Sequence, residues 1–262
     1  MNRIVLLAQH KFYWGIKMEY SLATQLIAEF LGTAIMVLLG NGSVANVELE
    51  GTKGHHGSWL IIAIGYGMGV MIPALMIGSV SGNYINPAFV IGMASVGSLA
   101  WGKAMLFIVV EFLGAMAGQL VVVAMHKPYY DKTTNPTAIL GTFSTIENAG
   151  SKLNGFISEF FGSFVLFFGA LALTHNTFNG KADLEVAHIG LGFLVMALVA
   201  SMGGPTGPAL NPARDLGPRI LHAILPLKNK GGSQWDYAAV PVIAPILAAI
   251  AAAFAFKGIF GL

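Results

Sequence analysis

The triplet Asn-Pro-Ala occurs twice in this chain, at Asn86-Pro87-Ala88 and at Asn211-Pro212-Ala213, each time within a long apolar region. Asparagine is a favourable N-cap and proline is tolerated at the first helical position, so each triplet predicts the start of a helix. A helix that begins inside a bilayer leaves backbone N–H groups that lipid cannot satisfy, and it persists only when packed in protein or lining a water-filled path. Two such starts indicate a pore.

The composition is that of an integral membrane protein. The chain has 262 residues, of which 55% are hydrophobic and 10% are charged, and its mean hydropathy is +0.71. Soluble domains carry about 25% charged residues. The formal net charge of +2 gives no reason to expect a nucleic-acid partner, and the absence of cysteine excludes disulfides and thiol chemistry.

Six stretches are long and apolar enough to cross a bilayer, which takes about 20 residues in a helix. They lie at approximately 22–44, 60–80, 101–125, 154–174, 186–203 and 238–260. Two shorter segments, 87–96 and 212–221, follow the Asn-Pro-Ala triplets. Ten residues at about 1.5 Å each span only half a bilayer. The expected fold is therefore an all-α membrane protein with six transmembrane helices and two half-helices.

The two halves of the chain repeat each other. A shift of 125 positions without a gap superposes the two triplets and pairs Gly65 with Gly190 and Gly82 with Gly207. Three spans per half force the second copy to enter from the opposite side, which predicts an inverted repeat with the half-helices meeting near the midplane. We expect an N-terminal tail over residues 1–20 and one channel domain over 21–262, with repeats at about 22–125 and 154–260.

This combination of motifs resembles the aquaporin superfamily. The resemblance rests on both triplets, on Ser81-Gly82 and Thr206-Gly207 before them, on Arg214 after the second, and on the glutamates Glu29 and Glu159. It covers about residues 22–260. It implies an aquaporin-like bundle, a homotetramer with one pore per subunit, and a multi-pass protein of a bacterial plasma membrane with both termini in the cytoplasm.

Within that superfamily the chain is similar to the glycerol facilitators. Asp215 follows the pore arginine, Arg219 lies four residues further on, and Pro241 precedes Val242 in the last helix. The stretches 203–207 and 217–226 resemble the lactic-acid-conducting branch from lactic acid bacteria. The resemblance therefore implies passage of glycerol, water and undissociated lactic acid.

The polar lining of the expected pore comes from both triplets and the loops before them. The half-helices point positive ends at the pore centre, and Asn86 and Asn211 add amide donors, so both features oppose cations and protons. A role as helix caps alone is the alternative. Backbone carbonyls of two extended loops would serve as acceptors, and these loops contain Gly82, Asn83 and Tyr84 in one half and Gly207, Pro208 and Ala209 in the other. Tyr84 departs from the histidine that is usual in the family.

Arg214 is the sharpest single position, because a charge this deep in a membrane protein is costly and usually functional. A structural ion pair with a carboxylate is the alternative. The resemblance places Arg214 at an outer constriction, and matching without gaps gives it Tyr66, Val199 and Pro208 as companions. Typical glycerol facilitators have a glycine and a second aromatic where Val199 and Pro208 stand. The chain therefore leaves room for a small solute other than glycerol.

Several further residues are expected to support this lining. Glu29 and Glu159 would accept hydrogen bonds from loop backbone near the half-helices, with a proton relay as the alternative. Asp215 would pair with Arg219 or cap the second half-helix. The remaining supporting residues belong to the triplets themselves: Pro87, Ala88, Pro212 and Ala213.

The sequence contains no nucleophile–base pair, phosphate loop, cofactor motif or set of spaced metal ligands, so we expect neither an enzyme nor a bound cofactor. The predicted function is passive facilitated diffusion of small uncharged solutes with exclusion of ions and protons. Two alternatives remain: a mainly water-selective channel, and a structural junction protein with the same fold.

Overall fold

The structure, a computed structural model, describes residues 20–148, 150–175 and 184–261. Most of the expected N-terminal tail lies outside these residues. In chain order the helices are α1 Leu22–Glu48, α2 Trp59–Ser81, α3 Pro87–Ser95, α4 Trp101–Lys132, α5 Pro136–Gly141, α6 Lys152–His175, α7 Leu184–Met202, α8 Pro212–Ile224 and α9 Val240–Phe260.

The predicted architecture is confirmed: the described part of the chain is all helical, with six helices long and apolar enough to span a membrane. The short helices α3 and α8 begin at the prolines of the two Asn-Pro-Ala triplets. The structure corrects several boundaries. Helix α1 continues to Glu48, α4 continues to Lys132, and α8 continues to Ile224. The link between the two halves also contains the short helix α5, which the sequence analysis missed.

Each short helix packs against the last long helix of the opposite half. Helix α3 contacts α9, and α8 contacts α4, while α2 of the first half contacts α7 of the second. The two halves therefore interlock instead of forming separate units. Apolar side chains such as Ile27, Met105, Val109 and Phe193 remain exposed on the long helices. An exposed apolar surface of this extent suits lipid contact.

Close approach of α1 and α4 depends on two glycines spaced one helical turn apart. A Cβ atom on Gly114 would lie 2.3 Å from the carbonyl oxygen of Phe30, and one on Gly118 would lie 2.3 Å from that of Ala34. Small residues at this spacing let membrane helices bring their backbones together. Because both obstacles are backbone atoms, a side chain here can be accommodated only by moving a helix.

We predict that Gly114→Ala lowers the free energy of unfolding by about 1–3 kcal/mol, the usual cost of overpacking. The matched control is Gly102→Ala near the start of the same helix, where an added Cβ meets nothing within 4 Å. Alanine should be neutral there or stabilise by up to about 1 kcal/mol, because it is the better helix former. Unfolding of both variants in one detergent measures the difference, and equal effects would contradict the close-approach argument.

Candidate functional site

The two short helices meet at their N-termini and are joined by reciprocal hydrogen bonds. Asn86 Nδ2 donates to the carbonyl oxygen of Leu210 at 2.8 Å, and Asn211 Nδ2 donates to that of Ile85 at 2.7 Å. Each asparagine also caps its own helix, since Oδ1 of Asn86 accepts from the N–H of Ala88 at 3.0 Å and Asn211 does the same with its own helix. An amide has two N–H donors. Asn211 Nδ2 also lies 3.7 Å from the Met36 sulfur, a weak acceptor, whereas Asn86 keeps a second N–H beyond its bond to Leu210.

The remaining triplet residues complete these helix starts. Each proline occupies the first helical turn, where its missing N–H is not needed. Both prolines and the alanines that follow them are buried: Pro87, Ala88, Pro212 and Ala213.

The sequence predicted extended loops before α3 and α8, but both loops contain residues with positive φ. Gly82 and Gly207 have φ of 100° and 67°, and Ile85 and Leu210 have φ of 41° and 51°. A branched side chain at positive φ is a strained conformation that the surroundings must hold in place. Asn83 also has positive φ, at 52°, and proline cannot adopt this at the matching position, so the two loops diverge there.

Glu29 of α1 holds the first loop by its backbone. Its Oε1 accepts from the N–H of Tyr84 at 3.0 Å, and its Oε2 accepts from the N–H of Ile85 at 2.7 Å. The side chain is fully buried. Both carboxylate oxygens therefore fix the strained backbone immediately before the first half-helix.

Glu159 of α6 does the same for the second loop. It accepts from the N–H of Ala209 at 2.8 Å and of Leu210 at 2.9 Å, and from the hydroxyl of Thr206 at 3.2 Å. Backbone donors occupy both oxygens of each glutamate. This arrangement favours a scaffolding role over a proton relay, which needs a carboxyl group free to exchange protons.

Arg214 lies at the first turn of α8 and is held by a buried polar network. Its Nη2 donates to the Tyr66 hydroxyl and its Nη1 donates to the carbonyl oxygen of Phe143 at 3.4 Å. The Tyr66 hydroxyl donates in turn to Asn41 Oδ1. Asn41 Nδ2 then donates to Gln119 Oε1 at 2.6 Å and to the Phe143 carbonyl at 3.0 Å. Four separate segments of the chain therefore fix one guanidinium group.

Arg214 is 4% exposed, and no carboxylate among the described residues forms an ion pair with its guanidinium. Its central carbon lies 4.9 Å from the centre of the Tyr66 ring, within range of a cation–π interaction. The alternative of a structural ion pair is therefore not what holds this arginine. A guanidinium has five N–H donors, and two of them are used here. Nε is buried without a partner among the described residues, so the donors that remain for a solute are the second N–H of Nη1 and of Nη2.

Two cavities meet at Arg214. One, termed here the inner cavity, is lined by both half-helix loops and by side chains including Asn86, Asn211 and Phe89. The other, termed the vestibule, is lined by residues that include Glu48 and Trp59. Of the described residues, four line both cavities: Tyr66, Val199, Pro208 and Arg214. These are the four that sequence matching grouped together, and they form the boundary between the two spaces.

The other predicted lining residues distribute as follows. Asn83, Tyr84 and Ala209 line the inner cavity, and Gly207 lines the vestibule. Gly82 is exposed and lines neither of these two cavities in the described part of the chain. Its place in the turn is conformational, because its φ of 100° favours glycine.

Asp215 and Arg219 form an ion pair that is fully buried on both sides, with an Nη2–Oδ1 distance of 2.8 Å. Asp215 Oδ2 also accepts from the N–H and the hydroxyl of Thr145, at 2.7 and 2.6 Å. Arg219 donates to the carbonyl oxygens of Thr145 and Ser233 at 2.8 and 2.7 Å. The pair thus ties α8 to the segment that carries Phe143, which in turn contacts Arg214.

Four contributors were not singled out from the sequence. Asn41 and Gln119 are polar residues inside apolar helices, and that signal was available. Trp59, whose Nε1 donates to the Val199 carbonyl oxygen at 2.9 Å, and Phe143, which acts through its backbone, carry no such signal. Their roles arise only from the way distant segments meet.

We predict that Asp215→Asn lowers the free energy of unfolding by about 3–5 kcal/mol, because it leaves the Arg219 charge buried without its partner. The control is Asp131→Asn, which breaks the exposed Lys127–Asp131 pair and should cost no more than about 1 kcal/mol. Denaturation of both variants in the same detergent tests this difference. Similar midpoints would contradict the scaffolding role assigned to Asp215.

Comparisons with known proteins agree with this architecture. The family described as major intrinsic protein matches residues 17–256. A glycerol uptake facilitator protein-like 5 from Lactiplantibacillus plantarum is 51% identical over 241 residues, covering 90% of this chain and 96% of the relative. The glycerol facilitator-aquaporin gla from Lactococcus lactis subsp. cremoris is 47% identical, covering 93% of this chain and 100% of the relative.

Among solved structures, the aquaglyceroporin from Plasmodium falciparum superposes with a TM-score of 0.82 at 27% identity, covering 91% of this chain and 97% of that one. Its fold and the described fold are therefore the same. The relatives are facilitators and channels by name, and none of these is named as an enzyme. The chain is a multi-pass membrane protein that belongs to the major intrinsic protein family.

Proposed function

We propose that this protein is a channel for passive facilitated diffusion of small uncharged solutes: glycerol, water and undissociated lactic acid. The observation that carries the proposal is the junction of the two cavities at Tyr66, Val199, Pro208 and Arg214. The names of the relatives from L. plantarum and L. lactis support glycerol as the first solute to test. We further propose a homotetramer in a bacterial cell membrane with both termini in the cytoplasm.

The walls of the inner cavity suit a polyol. Asn86, Asn211 and the loop backbone offer polar groups on one side, while side chains such as Val70, Leu166 and Val195 offer an apolar surface. A polyol has hydroxyl groups along a hydrocarbon chain. Its hydroxyls can therefore bind the polar side while its carbon chain packs on the apolar side. A solute with no apolar edge gains nothing from the second wall.

Charge at two levels of the path opposes cations. The Arg214 guanidinium lies at the junction with the vestibule, and the N-termini of α3 and α8 meet deeper in the inner cavity. Each helix N-terminus carries about half a positive charge. Such fields exclude cations and protons from narrow pores. The second N–H of Asn86 also orients a solute or water oxygen toward the centre.

Lactic acid is conducted in its neutral form under this proposal. A carboxyl group with a pKa like that of aspartic acid, about 3.9, is about 0.1% neutral at pH 7 and about half neutral at pH 4. Val199 and Pro208 replace the glycine and the aromatic of typical facilitators and change the shape of the constriction. A mainly water-selective channel is the alternative; the facilitator-like Asp215 and Pro241 speak against it.

The proposed function predicts how solute uptake depends on pH. Reconstituted protein should speed glycerol uptake equally at pH 4 and pH 7, because glycerol does not titrate in this range. It should speed lactic acid uptake strongly at pH 4 and little at pH 7, where the neutral form is scarce. Stopped-flow light scattering on proteoliposomes, with empty liposomes as the background, measures both. Fast glycerol uptake with no lactic acid effect at either pH would restrict the channel to polyols and water.

The proposed function also predicts the effect of substitutions at the junction of the two cavities. Arg214→Ala should change the ratio of glycerol to water permeability, since the donor group at the junction is lost. Tyr66→Phe should shift the same ratio to a smaller extent, because Arg214 keeps its charge but loses the hydroxyl that holds it. The control is Tyr129→Phe, which removes the hydroxyl of a half-buried ring on α4 that lines neither cavity. Folded Arg214→Ala protein with unchanged selectivity would exclude Arg214 as the filter.

A further inference from the structure

Three aromatic rings line the inner cavity on the side remote from the vestibule: Tyr84, Phe89 and Phe167. Phe89 lies three residues after Asn86, as Arg214 lies three residues after Asn211. Because α3 and α8 run away from their shared N-termini, these two residues lie on opposite sides of the asparagine pair. Of the described residues that line the vestibule, none belongs to this aromatic group.

The rings brace one another. Phe89 and Phe167 stack with centroids 5.6 Å apart and an interplanar angle of 10°, and Tyr84 packs on Phe89 at 5.6 Å. Tyr84 also makes an edge-type contact with the buried Phe107 ring, with the ring centroids 5.6 Å apart. Aromatic pairs in such contacts resist displacement, and close-packed interiors leave little room for a ring to turn. The rings therefore form a fixed wall.

The chemistry at this level is the reverse of that at the junction with the vestibule. The 125-residue shift relates Arg214 to Phe89 and Tyr66 to Leu191, and all four line the inner cavity. The guanidinium and the phenol that offer hydrogen bonds at one end are thus matched by a phenyl ring and an isobutyl group at the other. A solute gains no ionic partner from these two apolar side chains and must give up water to pass them.

We propose that Tyr84, Phe89 and Phe167 form a second selectivity point, which restricts solutes by width and by the cost of shedding water. It acts in series with the junction at Arg214 and rests on the channel function proposed above. Three-carbon solutes pass with their hydrocarbon edge against the rings. Longer polyols, which must carry more hydroxyls past the Phe89 and Phe167 rings, are retarded here.

The test uses substitutions that widen the aromatic wall and one that narrows it. Phe89→Leu and Phe167→Leu should raise the permeability ratio of erythritol to glycerol on the order of tenfold. Small changes in the size of an apolar pocket alter discrimination between solutes by about this factor. Phe89→Trp should lower glycerol permeability while water permeability is less affected. The control is Phe168→Leu, which removes a ring one residue further along α6 that packs on Phe256 at 5.5 Å, away from the cavity lining.

All variants are compared in proteoliposomes with equal amounts of folded protein, judged by gel filtration and circular dichroism. An unchanged erythritol-to-glycerol ratio in both leucine variants, or an equal rise in Phe168→Leu, would overturn the second selectivity point while leaving the channel function intact. Wild-type protein that moves no glycerol above empty liposomes would overturn both.

Discussion

The structure depends on the pair of crossed hydrogen bonds between the two half-helices. Asn86 binds the Leu210 carbonyl, and Asn211 binds the Ile85 carbonyl. In a medium of low polarity an unsatisfied backbone group is costly. Each half-helix can therefore begin in the protein interior only because the other half of the chain supplies a hydrogen-bond partner. Neither half of the chain can complete its own site. This requirement explains why the halves interlock and why the polar path lies between them.

The loops that precede the two half-helices must also be held in place. Ile85 and Leu210 sit at positive φ, and each donates its N–H to a buried glutamate that reaches in from a long helix. Glu29 and Glu159 thus hold strained backbone at matching places in the two halves. The strain turns the carbonyl groups of these same residues toward the opposite asparagine, so one contact makes the other geometrically possible.

Two buried arginines five residues apart illustrate how burial alone fails to define a role. Arg219 is paired with Asp215 and donates to three loop carbonyl oxygens, and each of these contacts holds the chain together. Arg214 has a hydroxyl, a carbonyl and an aromatic face as neighbours and opens onto two cavities. The first side chain is saturated by protein, whereas the second keeps donors for a solute. Losing either should be costly, but only the loss of Arg214 should alter which solutes pass.

Local rules were sufficient to predict the half-helices, their caps and the six spans, because proline, asparagine and hydropathy act over a few residues. The prediction failed where the outcome depends on segments that are far apart in the chain. The extended loops expected at Gly82 and Gly207 are left-handed turns, and the helix α5 was missed. The contact of Phe143 with Arg214 uses a backbone carbonyl, which any residue type could supply. Matching of Tyr66, Val199 and Pro208 to Arg214 depended on the family resemblance, since nothing local connects them.

A high-resolution experimental structure of the protein prepared in glycerol would show whether the solute is selected at the junction of Tyr66, Val199, Pro208 and Arg214. We expect glycerol at this junction, with hydroxyl oxygens within hydrogen-bond distance of the Arg214 guanidinium and the carbon edge toward Val199. Selection at the junction would be contradicted if glycerol occupied the vestibule and the inner cavity but not the junction, and if the Arg214 guanidinium formed an ion pair with a carboxylate.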